Sequence, residues 1–372
     1  MPAALVRAGA TVGVVTTADN ALAHSRFVAK RWLLAPKPMT GASIAEGMQT
    51  AHDAWAPDLI IPAEDEVVWL LQRIILGESR VSVSDALLGV LRRSMANPDH
   101  FAVLRAKSRL DQAAAASSVD MAPQLAKPSP EQALAFAREH GFPVLIKPDA
   151  GWGGHGIHLC TNETELTTAL VTASASRQPG ALQRAYSVQK FIHGESAAIG
   201  LAARDGRLLG AIAYAKHRTT TAHGPTTVAR RLQRPDMVAA AERLVHYFGY
   251  TGFGGIDFVI ESHSDRAWMI EFNARPSPIC ARGQWMGVDL AAKLVADMDG
   301  KPVPPDGDGA DLMAFFPQEW YRDARSPFLH SAYHDVPWDD PHLMHYFTER
   351  HPRSLAEQRR SAVHPAVRLT KQ

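Results

Sequence analysis

The segment GGIDFVIESHSDRAWMIEFNARP, residues 254–276, constrains the fold more than any other. Two apolar runs rich in β-branched and aromatic residues flank the polar turn SHSD, which predicts a hairpin with strands over Gly255–Glu261 and Ala267–Asn273. Side chains alternate along a strand, so Glu271 and Asn273 share a face. Symmetry about the turn places Asp257 opposite Glu271, with Phe258 and Ile270 toward the core. Three hard oxygen donors at one point suit Mg²⁺, which also keeps waters and phosphate oxygens. Arg275 follows two residues later, where a guanidinium can support a phosphoryl group in transfer. A solvated strand face would use the same residue types.

A second signal is IKPDAGWGGHGI, residues 146–157. Pro143–Pro148 reads as a buried strand that carries Lys147. Gly151, Gly153, Gly154 and Gly156 then allow a loop whose backbone N–H groups approach phosphate oxygens. The spacing matches neither G-x-G-x-x-G nor G-x-x-x-x-G-K-[ST], and a flexible turn is the competing reading. Trp152 either shields the loop or lies on the surface. Two weaker elements are Lys107, in a helical stretch, and VQKFIHGES. There the strand Val188–Ile192 could offer backbone groups to an adenine edge, and Glu195 could accept from ribose hydroxyls.

Around these motifs the first hundred residues read as α/β. Strands are expected at Thr11–Val15 and Asp58–Pro62, and helices at Ile44–Trp55 and Glu66–Leu76. Ala4–Gly9 reads as a helix end, so the first strand of the sheet is missing from the expected order. Further on, Asn97–Val119 is helical, and Glu131–His140 is a helix stopped by Gly141. A strand is expected at Ala197–Ala202, and a helix at Pro235–Phe248 closed by Gly249. Lys216 sits in the loop-like stretch KHRTTTAHGPTT, and the tail from Pro302 shows no periodicity.

Composition narrows the function classes. The 372 residues carry 39 Lys+Arg and 38 Asp+Glu, a net charge of +1 that gives no reason to expect a nucleic-acid partner. No apolar run reaches the roughly 18 residues needed to span a bilayer. Cys160 and Cys280 have no metal-ligand spacing, which fits a reducing, cytoplasmic setting. His217 and His223, or His342 and His345, lack the converging donors of a zinc site.

The order of helical Lys, strand–Lys–Pro–glycine loop, V-x-x-F-I-x-G-E and D-F…E-F-N-x-R-P resembles the ATP-grasp superfamily. The likeness runs from about residue 5 to 300, and includes SRFVAKRWLLAP and DLIIPAEDEVVWLL near the start. FPQEWYRD and HDVPWDDP resemble uncharacterised members of its carboxylate–amine ligase branch. The resemblance implies an N-terminal α/β domain (1–96), a two-subdomain α+β ATP-grasp core (97–304, with a lid at about 122–187) and a C-terminal extension (305–372). It implies ATP with Mg²⁺, or Mn²⁺ in its place. Lys107 and Lys147 would contact the α- and β-phosphates, and Gly153, Gly154 and Gly156 would form the mobile lid loop. Gln189, Lys190, Phe191 and Ile192 would read adenine, with Glu195 on the ribose. Asp257, Glu271 and Asn273 would hold the metal, with Arg275 at the γ-phosphoryl group and Lys216 and Arg231 as further cations. Gln189 stands where such hinges often have Glu. The implied activity is ADP-forming activation of a carboxylate as an acyl-phosphate, captured by an amine or thiol. Two alternatives rank below it: a bicarbonate-activating carboxylase, whose usual biotin-carrier partner is not visible in this sequence, and a non-catalytic nucleotide-binding protein of the same fold, against which the intact Lys147, Glu271, Asn273 and Arg275 set argues. A homodimer is compatible with all of them.

Overall fold

The computed structural model describes residues 1–35, 39–149, 156–175, 186–221 and 224–350. Helix α1 (Pro2–Arg7) precedes strand β1 (Gly13–Thr17), which pairs in parallel with β2 (Lys30–Leu34). Helices α2 (Gly41–Trp55), α3 (Asp65–Ile75) and α4 (Asp85–Arg93) follow. Thr40 and Ser43 cap α2 reciprocally, which satisfies two otherwise orphaned N–H groups. The strand expected at Asp58–Pro62 does not form. Ile60 N donates instead to Ser94 Oγ at 3.0 Å, and Asp58 O accepts from Arg93 Nε, so the segment is tied to the end of α4 rather than to a sheet.

The middle of the chain builds a second body. Short helices α5 (Phe101–Leu104) and α6 (Leu110–Ala116) lead to β3 (Gln124–Ala126), α7 (Pro130–His140), β4 (Val144–Pro148), β5 (His158–Cys160), α8 (Glu163–Ala175) and β6 (Tyr186–Lys190). The four strands form an antiparallel sheet in the order β3-β6-β4-β5. Ala133, Phe136 and Ala137 of α7 and Leu166 and Leu170 of α8 fill its core. Helix α7 starts where the sequence directs: Ser129 and Gln132 form a capping box, Pro130 occupies the first turn, and Gly141 leaves at φ 79°. Ser129→Ala should therefore lower the unfolding free energy of this body by about 1 kcal/mol, measured by denaturant titration. An unchanged midpoint would show that the cap contributes nothing.

The third body is a seven-stranded sheet, β11-β10-β7-β8-β9-β12-β13. Its strands are β7 (Gly194–Arg204), β8 (Arg207–Thr219), β9 (Thr226–Arg231), β10 (Gly252–Glu261), β11 (Ala267–Asn273), β12 (Leu312–Ala314) and β13 (Tyr333–His334). Helix α9 (Pro235–Phe248) runs from Pro235 in its first turn to the left-handed Gly249, and covers one face with α2–α6. Helix α10 (Leu290–Met298), α1 and residues around Ile279–Val288 cover the other. Lys216, expected in a loop, lies on β8. The run AIAYAK is rich in alanine, a residue depleted in strands, and only pairing with β7 and β9 reveals it as one.

The tail is also structured. Strand β12 pairs with β9, and short helices α11 (Gln318–Arg322) and α12 (Phe328–Ser331) precede β13. Buried carboxylates anchor it: Asp335 binds Arg282 and accepts from Phe316 N at 2.6 Å, and Glu319 pairs with Arg322 at 2.5 Å. Asp340 accepts from Ser25 Oγ at 2.5 Å and from Arg26 N, which ties the tail to the loop after β1. The buried apolar run Met313–Phe316 also holds it, but is too short to show a hydrophobic period.

Candidate active site

The hairpin β10–β11 sets the site. Its register pairs Asp257 with Glu271 and Gly255 with Asn273, as symmetry about the turn requires. The expectation for Ile270 fails. The pairing jumps from Asp257–Glu271 to Phe258–Met269, which leaves Ile270 as the extra residue of a β-bulge. Met269 and Phe272 are fully or nearly fully buried, and Ile270 is only half-buried. The bulge breaks strict alternation just before Glu271 while keeping its carboxylate opposite Asp257.

Direct pairing carries one row across the sheet: Glu271, Asp257, Ala198, Tyr214 and Arg231. The lysines meet this row at its carboxylate end. Lys107 Nζ lies 2.7 Å from Glu271 Oε1, and Lys216 Nζ lies 2.8 Å from Asp257 Oδ1. Lys147 comes from β4 of the four-stranded sheet and is 6% exposed. Its Nζ donates to Gln189 Oε1 at 3.0 Å. Burial pushes the Lys147 ammonium down to about 8, opposed by Glu271 and Asp257 and reinforced by Lys107 and Lys216. Arg275 Nε donates to Asp65 Oδ1 at 2.8 Å. Burial works against its charge most strongly, but the bond to Asp65 and the charges of Asp65, Glu271 and Asp257 together raise it above the ordinary guanidinium value.

Helix α3, the turn at Lys107, strands β4 and β8 and the hairpin β10–β11 thus bring four cations and three carboxylates together. Polar bonds connect their supports: Gln189 Nε2 donates to Gln124 Oε1 at 3.3 Å, and Gln124 Nε2 donates to Lys107 O at 3.1 Å. Asp149 accepts from both Ser108 N and Ser108 Oγ, which ties the base of the glycine loop to the turn bearing Lys107. Asp65, Gln124 and Asp149 escaped the sequence reading. Single acidic or amide residues in helical and loop contexts carry no spacing signal.

The donor set suits Mg²⁺ in kind. Asp257 and Glu271 are paired carboxylates, and the Asn273 side chain makes no hydrogen bond among the described residues. No group of three or more His, Cys, Asp or Glu side chains converges among those residues. A cation here would therefore draw its remaining ligands from water or phosphate oxygens, which Mg²⁺ prefers.

Other sequence candidates fall elsewhere. Gly153 and Gly154, with Gly151, Trp152 and His223, lie outside the described residues. Gly156 is described at φ 78°, where a Cβ would come 3.2 Å from Pro148 Cγ. In the hinge, Lys190 N donates to Pro123 O and Phe191 N to Pro143 O, whereas Ile192 N has no protein partner among the described residues. An adenine edge would thus have Ile192 N available. Glu195 pairs with Ile260, so it projects to the sheet face opposite Asp257, where both its oxygens accept from Arg230. Arg231 is three strands from Asp257, roughly 14 Å away at the usual strand spacing. It packs beside Gly287 and not in the cation cluster.

The family model for the carbamoyl-phosphate synthase L chain ATP-binding domain matches residues 106–199. That span contains Lys107, Lys147, the glycine loop and the hinge. Biotin carboxylase 1 of Bacillus subtilis is 28% identical over 158 residues, covering 39% of this chain and 34% of that protein. The chain thus spans about a third or less of the length of the curated relatives it matches first. Among solved structures, the biotin carboxylase domain of Hydrogenobacter thermophilus 2-oxoglutarate carboxylase, a dimer with MgADP, ADP and bicarbonate, aligns at 17% identity. Its TM-score is 0.62, with 82% of this chain and 68% of that one covered. Carboxyaminoimidazole ribonucleotide synthase of Aspergillus clavatus, bound to ATP, aligns at 12% identity and TM-score 0.59, with coverages of 82% and 75%.

Proposed function

We propose that this chain, which has the ATP-grasp fold, phosphorylates a small carboxylate with MgATP and releases ADP. The observation that carries the reading is the convergence of Lys107, Lys147, Lys216 and Arg275 on Asp257 and Glu271 between two sheets. Four cations match the charge of a triphosphate, and the carboxylates match a divalent ion. Bound Mg²⁺ would supply charge neutralisation at the β- and γ-phosphates. The chain's own part is to bind and orient. Lys147 and Lys107 hold phosphate oxygens, Ile192 N meets the base, and Arg275 supports the γ-phosphoryl group as the acid's oxygen displaces ADP. The product of that step is an acyl-phosphate, whose carbonyl carbon an amine, thiol or carbanion can attack while phosphate leaves.

Bicarbonate is the favoured acid, because two of the three relatives described above are biotin carboxylases and one of these was solved with bicarbonate. An organic carboxylate captured by an amine or thiol is the second reading, favoured by FPQEWYRD and HDVPWDDP, and it shares the first step. Self-association as a homodimer belongs to the same proposal. The test is ADP release from MgATP, with bicarbonate in one arm and pooled organic acids plus amines or thiols in the other. Release that depends on both Mg²⁺ and one acid supports the reading, and the responsive arm chooses the acid. A protein whose melting temperature is indifferent to saturating MgATP would overturn nucleotide use altogether.

A further inference from the structure

Arg275 is the cation of the cluster that helix α3 holds. Its partner, Asp65, opens α3, whose Val68, Leu71, Ile74 and Ile75 are buried in the same core as Ile256 and Phe258 of β10. That core makes α3 a rigid mount relative to the hairpin. The contact spans 210 residues of sequence and is partly sheltered, with side-chain exposures of 26% for Asp65 and 23% for Arg275. Asp65 engages Nε alone, and the two Nη nitrogens make no hydrogen bond among the described residues. A guanidinium fixed at Nε keeps its outer fork available for a planar or tetrahedral oxyanion. Lys107 and Lys216 are paired differently. Their carboxylates, Glu271 and Asp257, are the candidate metal ligands, so a bound metal and phosphate would take the place of those partners. Asp65 is no metal candidate and can keep Arg275 throughout.

We propose that Asp65 is a positioning residue that fixes Arg275 for the γ-phosphoryl group in transfer, and through it couples the N-terminal unit to the chemistry. The proposal rests on the ATP reading above. A pre-set guanidinium acts on charge that develops during transfer, so its loss weakens a transfer-state mimic and spares the ground state. The test compares wild type, Asp65→Asn and Asp65→Glu for binding of MgADP alone and of MgADP with aluminium fluoride, by calorimetry. Asp65→Asn is expected to bind the fluoride complex about tenfold or more weakly, with MgADP affinity within about twofold of wild type. Asp65→Glu should recover part of the loss. In an Arg275→Gln background, Asp65→Asn should cost nothing further, since residues that act through one another are not additive.

Equal weakening of both ligands, or weakening of neither, overturns the positioning role and leaves the ATP reading standing. So does a full additional loss in the Arg275→Gln background. A wild type that binds no MgADP overturns the ATP reading itself, and the proposal with it. Melting without ligand separates misfolding: a fall shared by Asn and Glu variants, with both ligands weakened alike, marks Asp65 as structural only.

Discussion

Glu271→Gln should reduce Mg²⁺-dependent ADP release by roughly two or more orders of magnitude, while the fold survives. The amide keeps the shape of the side chain but cannot neutralise a divalent ion, and hard cations select charged oxygen. Structure fixes the secondary effects. Glu271 is bonded to Lys107 at 2.7 Å, so the substitution removes a carboxylate partner from that lysine. The pair is partly exposed, with side chains 24% and 20% accessible, so its loss should cost the ligand-free protein no more than about 1 kcal/mol. The melting temperature without ligand should thus fall slightly. The further rise on adding MgATP should shrink, because stabilisation by a ligand tracks its affinity. Paired melting curves and ADP release measure both. Near-normal turnover would remove the metal from the Asp257–Glu271 pair and leave the cations without their catalytic rationale.

The legible parts of this chain were those where local signals agree. Helix α9 runs over the expected Pro235–Phe248 because a proline and a glycine mark its ends, and β11 over Ala267–Asn273 because its hairpin partner mirrors it. Three other features depended on distant partners. The bulge at Ile270 is a property of the pairing of β10 with β11, and no pattern within β11 announces it. Strand β8 is built from alanines that only become strand-like between β7 and β9. In the tail, Asp335, Glu319 and Asp340 are anchored by Arg282, Arg322 and Ser25, and the buried run Met313–Phe316 is too short to show a period. The site shows the same division. Spacing across a turn brings Asp257 to Glu271, whereas Asp65 reaches Arg275 across 210 positions. Arg231, sequence-adjacent to the Glu195 partner Arg230, is carried away by strand geometry alone.

Nucleotide affinity should depend on pH through Lys147. In the folded, ligand-free protein its ammonium titrates near 8, chiefly because it is buried beside a neutral amide, against 10.5 in an unfolded chain. Phosphate oxygens bind the charged form, so a bound nucleotide holds the proton to higher pH. Affinity is therefore full below about pH 8, and falls by about tenfold per pH unit above it until the bound form also titrates. Between pH 7 and pH 9 the loss should be about tenfold, in a range where phosphate oxygens, with a second pKa near 6, are already ionised. Lys147→Met should bind MgATP roughly ten- to 150-fold more weakly at pH 7, the worth of one charge-assisted contact of about 1.5–3 kcal/mol. That gap should narrow toward pH 9, because the wild type loses there what the variant never had. Stability follows the opposite course. Folded and unfolded chains both carry the proton below about 8, so the cost of the buried charge is fully present there. From about 8 to 10.5 the folded state has released a proton that the unfolded state keeps, and stability from this group rises with pH. Calorimetric titrations at pH 7 and pH 9 on both proteins decide the matter. A wild-type affinity that stays flat while Lys147→Met remains uniformly weak would mean that the lysine is charged throughout, and that Glu271 and Asp257 outweigh its burial.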